Sequence, residues 1–150
     1  MHVRTLQRSQ ELDHAPSDVF SFFADARRLE EITPPLLHFA VITPEPIEMG
    51  VGTFIQYRLR LRGVPMRWDT LIQAWEPPHR FVDVQVRGPY RLWHHTHEVA
   101  PLPDGRSLMT DTLRYALPFD ALAHRFVARD LRAIFDYRAA RVPALLATRE

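Results

Sequence analysis

The sequence predicts an α+β fold in which a curved antiparallel sheet wraps around one long C-terminal helix. Three features of the 150 residues indicate it. Two short helical segments follow the first strand, alternating segments with a period of two fill the middle, and an apolar pattern with helical spacing fills the end. A sheet with one apolar face and a helix with one apolar stripe bury these surfaces against each other, which gives two layers around one core.

The N-terminal part of the chain predicts one strand and two short helices. Residues 3–12 mix β-branched and polar side chains and predict the first strand. Pro16 suits the first turn of a helix, and the apolar residues within 19–23 give that helix one buried face. Residues 26–32 predict a second short helix, which Pro34 ends. Both helices are too short to be stable alone, so we expect them to pack on the rest of the protein.

The middle of the chain predicts an antiparallel meander. Residues 39–43 form a short strand, and residues 55–61 alternate between apolar and polar positions. After a turn, the next strand is expected to face inward with Met66, Trp68, Thr70, Ile72 and Ala74, and outward with Arg67, Asp69 and Gln73. Residues 79–87 predict a further strand. The segments 93–100 and 106–116, around a Pro-Asp-Gly break, predict a β-hairpin.

The C-terminal part predicts a long amphipathic helix after Pro118. Apolar residues recur there at steps of three and four, which is the spacing of one helix face. The predicted apolar stripe consists of Phe119, Leu122, Phe126, Val127, Leu131, Ile134, Phe135, Val142, Leu145 and Leu146. We expect this stripe to cover the concave face of the sheet. Pro143 is expected to kink or fray the end of the helix.

This pattern resembles the SRPBCC superfamily, also called START-like or birch-pollen-allergen-like, over nearly the whole chain. The segments that carry the resemblance are APSDVFSFFADARRLEEITPP, MGVGTFIQYRLRLRGVPMRWDTLIQAWEPPHRFVDVQVRGPY, WHHTHEV, MTDTLRYALPF and IFDYRAARV. Within the superfamily the chain is most similar to the cyclase/dehydrase-like, ligand-binding branch. The resemblance implies the helix-grip fold and a cavity between the sheet and the C-terminal helix.

Composition limits the chemistry that the chain has available. The apolar share of 46% and the charged share of 25% are typical of one soluble domain, which we expect to span 1–150. All 19 basic residues are arginine, which excludes a lysine base, and the absence of cysteine excludes thiolate chemistry. No signal sequence, membrane span or nucleotide-binding motif is present. We therefore expect a cytoplasmic protein that needs no cofactor.

The net charge of +1 gives no general attraction to nucleic acid. Arg58, Arg60, Arg62 and Arg67 form a basic stripe on the predicted outer face of the sheet. No aromatic residues alternate with them there, so we interpret the stripe as a solvated surface.

Aromatic residues on the predicted inner face favour a cavity that binds a hydrophobic or aromatic small molecule. Tyr57, Trp68, Trp93 and Tyr115 stand there among a few polar groups, which is the usual lining of a ligand pocket. The alternative is that these rings fill a solid core. The sequence also leaves open whether the protein forms a homodimer.

The hairpin carries the candidate polar site. On a strand, residues two apart share a face, so Trp93, His95 and His97 point one way, and Asp111 and Tyr115 share a face on the second strand. The expected register places His95 near Asp111, and His97 near residues 107–109. A buried carboxylate requires a partner, which these histidines, Tyr115 or a ligand would supply.

Four interpretations of this site remain open. His95, His97 and Asp111 orient a ligand, perform general acid–base catalysis, hold a metal with Asp111 or Glu98 as the carboxylate, or form a purely structural network. We favour the first and expect no metal. Asp83 joins the site if the turn at Gly88-Pro89 has three residues, and faces solvent if it has two. The function alternatives are a polyketide cyclase, dehydratase or hydrolase, and a protein-interaction module.

Overall fold

In a computed structural model, which describes residues 1–148, the chain forms one seven-stranded sheet with helices on its concave side. The strands are β1 (Arg4–Leu12), β2 (Ala40–Val41), β3 (Phe54–Leu61), β4 (Val64–Glu76), β5 (Arg80–Arg87), β6 (Leu92–Pro101) and β7 (Ser107–Ala116). The α-helices are α1 (Pro16–Phe23), α2 (Leu29–Ile32) and α3 (Asp120–Ala147), and short 3₁₀ turns lie at Ala26–Arg28, Pro35–Leu37 and Pro103–Gly105.

The sheet order is β1-β7-β6-β5-β4-β3-β2, and every neighbouring pair is antiparallel. This is the predicted helix-grip architecture: a meander closed at one edge by the first strand, with a 28-residue helix across its concave face. Among the described residues, none of the helices has the length and apolar character to cross a membrane.

Helix α1 closes one end of the core. Pro16 stands in its first turn, and Val19, Phe20, Phe22 and Phe23 are all buried. The Phe20 ring meets Trp75 and Phe81 edge-on at 5.2 and 5.6 Å between ring centroids. These contacts supply the tertiary packing that a helix of eight residues needs in order to persist.

The inner face of β4 differs from the prediction in its second half. The pairing of β4 with β5 shifts between Ile72 and Ala74, which is the mark of a β-bulge. Because the bulge inserts one residue, Trp75 rather than Ala74 contacts the inner core. Asp69, expected outside, is buried at 6% exposure, and the pairing also shifts beside it.

Helix α3 confirms part of the predicted apolar stripe. Leu131, Phe135, Val142 and Leu146 are buried. The prediction is wrong for the N-terminal third, where three apolar side chains are largely exposed: Phe119, Leu122 and Phe126. The spacing places Leu122 on the opposite side of the helix from Leu131, so one straight helix does not bury both against one sheet.

The helix runs through Pro143 to Ala147 rather than ending there. Proline has no N–H, so the carbonyl of Ala139, four residues earlier, loses its usual partner. That carbonyl instead accepts a hydrogen bond from Gln10 Nε2 of β1 at 2.7 Å. The first strand therefore compensates for the proline in the last helix.

Candidate functional site

A cavity of about 170 Å³ lies between the inner face of the sheet and α3. Its walls are mainly aromatic and aliphatic, with Phe39, Tyr57, Trp68, Trp93, Leu131 and Phe135 among them. Leu37 and Phe39 close it from the segment between α2 and β2. Trp68 and Trp93 meet edge-on at 4.7 Å, because their strands β4 and β6 both turn these positions inward.

Tyr115 takes a different position from the other predicted aromatic residues. It packs with Leu117 and Leu131 in the core beneath the start of α3 and is not among the residues that line the cavity. Its ring centroid lies 6.1 Å from that of Tyr90.

Two histidines and two aspartates form a buried cluster at one wall of the cavity. His95 Nε2 lies 2.8 Å from Asp111 Oδ1, and His97 Nε2 lies 2.6 Å from Asp83 Oδ2. The second nitrogens face the opposite carboxylates, with His95 Nδ1 at 3.9 Å from Asp83 and His97 Nδ1 at 3.4 Å from Asp111. Each imidazole therefore makes one hydrogen bond to a carboxylate, while His97 Nδ1 has no hydrogen-bond partner among the described residues, and the rings stack at 3.8 Å between centroids.

The strand pairing explains why these four residues meet. His97 stands directly opposite Asp111 on β7, and His95 directly opposite Asp83 on β5. The expectation that His97 would lie near residues 107–109 is wrong, because the turn runs from Leu102 to Arg106 and shifts the register by two residues. A shift of two keeps every side chain on its predicted face.

Asp83 faces the cavity because β5 and β6 pair in the register expected for a three-residue turn, with Asp83 opposite His95 and Val84 opposite His94. The loop between the two strands spans Gly88 to Arg91. The Gln85 side chain fixes this loop by hydrogen bonds to the backbone N–H and carbonyl of Tyr90, at 3.0 and 2.7 Å. A Cβ at Gly88 would lie 2.5 Å from Gln85 Oε1, so glycine permits the close approach.

Arg138 of α3 is the site residue that sequence reasoning missed. Its NH2 group lies 3.5 Å from Asp111 Oδ1, and its guanidinium stands 4.8 Å from the centre of the Phe23 ring. The available signal was its position: Arg138 comes three residues after Phe135 and seven after Leu131, within the apolar stripe. A charged residue at such a position needs a buried partner.

The cluster shifts the pKa values of its members in opposite directions. Burial would raise the pKa of Asp111, but the charge of Arg138 and the contacts with His95 and His97 hold it well below its usual range. Burial and the neighbouring His97 lower the pKa of His95. Burial alone would lower the pKa of His97 too, yet its contacts with Asp111 and Asp83 outweigh burial and raise it.

Burial and neighbouring charges also shift the pKa values of Asp83 and Tyr57, which line the cavity. Burial opposes ionisation of Asp83, but the hydrogen bond from His97, together with the positive charges of His97, His95 and Arg138, outweighs burial and lowers the pKa of Asp83. Burial and the charge of Asp83 raise the pKa of the Tyr57 hydroxyl. At neutral pH the wall thus presents ionised carboxylates and a neutral phenol.

Three side chains of this cluster could hold a metal ion. Ligand atoms of Asp83, His95 and His97 lie within 4.8 Å of one another. The two rings are stacked with 28° between their planes, and each is hydrogen-bonded to a carboxylate, His95 to Asp111 and His97 to Asp83. Glu98, the other predicted carboxylate ligand, is exposed on the opposite face of β6.

A larger and more open groove, of about 550 Å³, lies outside the sheet–helix cavity. It runs past Ser21, Arg27 and Glu45, at the outer side of α1. It contains neither the histidines nor the paired carboxylates, so the chemically distinctive groups belong to the smaller cavity.

The fold is shared with proteins of known structure from several organisms. Protein CV1439 from Chromobacterium violaceum superposes with a TM-score of 0.75 at 17% identity, over 95% of this chain and 96% of its own. Protein Ms6760 from Mycobacterium smegmatis has a TM-score of 0.72 at 16% identity, covering 100% and 99%. A norcoclaurine synthase point mutant from Thalictrum, bound to a transition-state analogue, has 0.72 at 13% identity, covering 97% and 95%.

At these identities the structural matches establish the fold alone. No protein with a curated function matches the sequence. The family model described as "Polyketide cyclase / dehydrase and lipid transport" matches residues 3–146, which is nearly the whole chain. This ligand-binding domain of SRPBCC type therefore belongs to the polyketide cyclase/dehydrase and lipid transport family.

Proposed function

We propose that this protein binds a compact hydrophobic or aromatic molecule in the cavity between the sheet and α3, and that the His–Asp cluster orients it. The observation that carries the proposal is the combination of a partly open apolar cavity with one ionisable wall. Cavities built this way bind by apolar contact and select by a few polar groups. Binding of this kind also fits the description of the family.

The dimensions of the cavity narrow the ligand class. A volume of about 170 Å³ is small for a ligand pocket and close to that of cavities that hold one benzene-sized molecule. We therefore expect one- or two-ring ligands with a single polar substituent. Asp83 has 18% of its side chain exposed, more than the other members of the cluster, and is the group that such a substituent would reach.

A thermal-shift screen of one- and two-ring phenols, ketones and carboxylic acids tests the proposal. We expect at least one class to raise the melting temperature, because a ligand that binds only the folded state stabilises it. Trp68→Ala should abolish the shift, whereas Phe54→Ala, which removes an aromatic side chain outside the cavity, should retain it. The absence of any shift, with a crystal structure showing the cavity filled by side chains, would rule out the proposal.

A second function, general acid–base catalysis, rests on the opposite pKa directions of the two stacked histidines. The neutral His95 would accept a proton from carbon beside a ligand carbonyl, and the protonated His97 would donate one to a departing hydroxyl, which leaves as water. The ligands found in the screen are incubated with the protein and followed by NMR. Turnover that His97→Gln abolishes without loss of binding would establish an enzyme, and binding without turnover would establish a binding protein.

A further inference from the structure

An uncovered apolar surface lies on the N-terminal third of α3. Phe119, Leu122 and Phe126 are 81%, 80% and 61% exposed. Leu122 and Phe126 are one helical turn apart on the face opposite Leu131, which is buried against the sheet. Phe119 immediately precedes the first turn, three positions before Leu122. These three side chains are called the α3 patch below.

Arginines border the α3 patch. Arg125 and Arg129 are exposed on α3, immediately before and three residues after Phe126. The guanidinium of Arg62, at the tip of the hairpin between β3 and β4, lies 5.6 Å from the centre of the Phe126 ring. The patch thus combines apolar tips with a cationic border.

The acidic groups beside the α3 patch already have arginine partners. Asp120 pairs with Arg4 at 2.8 Å, and Asp130 pairs with Arg62 at 3.1 Å. These pairs offset two of the nearby positive charges, while Arg125 and Arg129 add two more. The region is therefore cationic, although the chain as a whole has a net charge of only +1.

We propose that the α3 patch docks this protein on an anionic lipid bilayer. Phe119, Leu122 and Phe126 would enter the boundary between headgroups and acyl chains, while Arg125 and Arg129 contact the anionic headgroups. A helix that lies in the plane of a bilayer shows this same combination of apolar and arginine-rich positions. The docking goes beyond ligand binding, because the patch lies on the side of α3 that faces away from the cavity.

Two other occupants fit the charges and shape less well. A second copy of the chain would bring like-charged borders together, and three side chains offer far less area than the roughly 800 Å² per partner that stable dimers bury. A nucleic acid would match the charge, and bases could stack on Phe119 and Phe126, but the exposed aliphatic Leu122 between them gains more from burial among acyl chains than from contact with a polar nucleic acid.

Co-sedimentation with vesicles tests the proposal. Vesicles of phosphatidylcholine mixed with phosphatidylserine should bind the protein, and vesicles of phosphatidylcholine alone should bind it much more weakly. The double variant Arg125→Glu/Arg129→Glu should lower partitioning by at least about 20-fold, since each basic residue near an anionic surface contributes about fivefold. Phe126→Ser should lower it by about tenfold through lost apolar burial.

Matched controls distinguish binding through the α3 patch from non-specific apolar or electrostatic binding to vesicles. Leu36→Ser removes an apolar side chain that is 83% exposed elsewhere, and Arg67→Glu reverses an exposed charge on the outer sheet face. Both should bind mixed vesicles like the unmodified protein, apart from the smaller long-range effect of one reversed charge. Circular dichroism of all variants should be unchanged, because each altered side chain is exposed.

Three outcomes would overturn the proposal. The first is equal binding to both vesicle types, and the second is no binding to either. The third is equal loss of binding in the control variants. If a short single-stranded DNA bound the protein at low salt and Phe126→Ser abolished this binding, the result would instead assign the patch to nucleic acid.

Discussion

Asp111 is the residue on which the buried charge balance depends. Its Oδ1 atom lies 2.8 Å from His95, 3.4 Å from His97 and 3.5 Å from Arg138. With Asp83 also ionised, the cluster contains two negative charges and one fixed positive charge. One imidazolium restores neutrality, whereas two stacked imidazolium rings would repel each other. The cluster is therefore expected to contain one imidazolium and one neutral imidazole.

Replacement of Asp111 by asparagine should destabilise the fold by about 3 kcal/mol, because it leaves Arg138 and an imidazolium buried without their main partner. The measurement is the free energy of unfolding in urea at pH 7. Asp136→Asn is the matched control: Asp136 is 66% exposed in its pair with Arg8, and losing it should cost less than about 1 kcal/mol. Equal losses in the two variants would contradict the assigned role of Asp111.

The Asp111→Asn variant should also change how the free energy of unfolding decreases at acid pH. The pKa of Asp111 is lower in the folded than in the unfolded protein, so its contribution is present above about pH 4 and is lost as the pH falls through the folded-state value. The unmodified protein should therefore lose more stability between neutral and acid pH than Asp111→Asn. Parallel pH profiles would show that Asp111 has no depressed pKa.

At the level of elements, α3 presents two different surfaces along one helix. Leu131→Ala removes a buried side chain and should cost about 3 kcal/mol through lost burial and a residual cavity. Leu122→Ala alters a side chain that is 80% exposed and should change stability by less than about 0.5 kcal/mol. Urea unfolding of both variants measures the difference. A large loss from Leu122→Ala would mean that the N-terminal third of α3 is covered in solution.

The elements themselves were largely predictable, because alternation and helical spacing report which side chains need burial. The faces of β6 and β7 followed directly from this pattern. Spacing could not reveal the bulge that turns Trp75 inward, since an inserted residue depends on the neighbouring strand. Nor could it show where α3 extends beyond the surface it covers, which left Phe119 and Leu122 misassigned.

The candidate site was predictable in part for the same reason. His95, His97 and Asp111 were placed together because a two-residue period keeps their side chains on the same face when the register shifts by an even number of residues, as it does here. Asp83 depended on a loop whose length is set by the Gln85 contacts with Tyr90, which are not visible in the chain pattern. Arg138 was recognisable only as an exception within an apolar stripe.

At the level of the whole molecule, the cavity has one well-ordered wall and one with little regular structure. Continuous hydrogen-bond ladders join the strands of the sheet to one another, and α3 packs on the sheet through its buried side chains. The segment of residues 33–53 has one short 3₁₀ turn and the two-residue edge strand β2, which pairs only with β3. Leu37, Phe39 and Met49 of this segment line the cavity. Few backbone hydrogen bonds need to break for this wall to open.

We therefore predict that ligands enter by local opening of residues 33–53. Hydrogen–deuterium exchange should be fast there in the free protein and slower when a ligand from the thermal-shift screen is bound. The bound ligand stabilises the closed state, so the segment opens less often. Amides of β6 and of α3 around Leu131 provide the control and should change little. A small cavity lined by Arg8, Gln10 and Arg138 lies between β1 and α3. If the ligand slowed exchange only at the amides around this small cavity between β1 and α3, the result would show that the ligand enters past Arg138 instead.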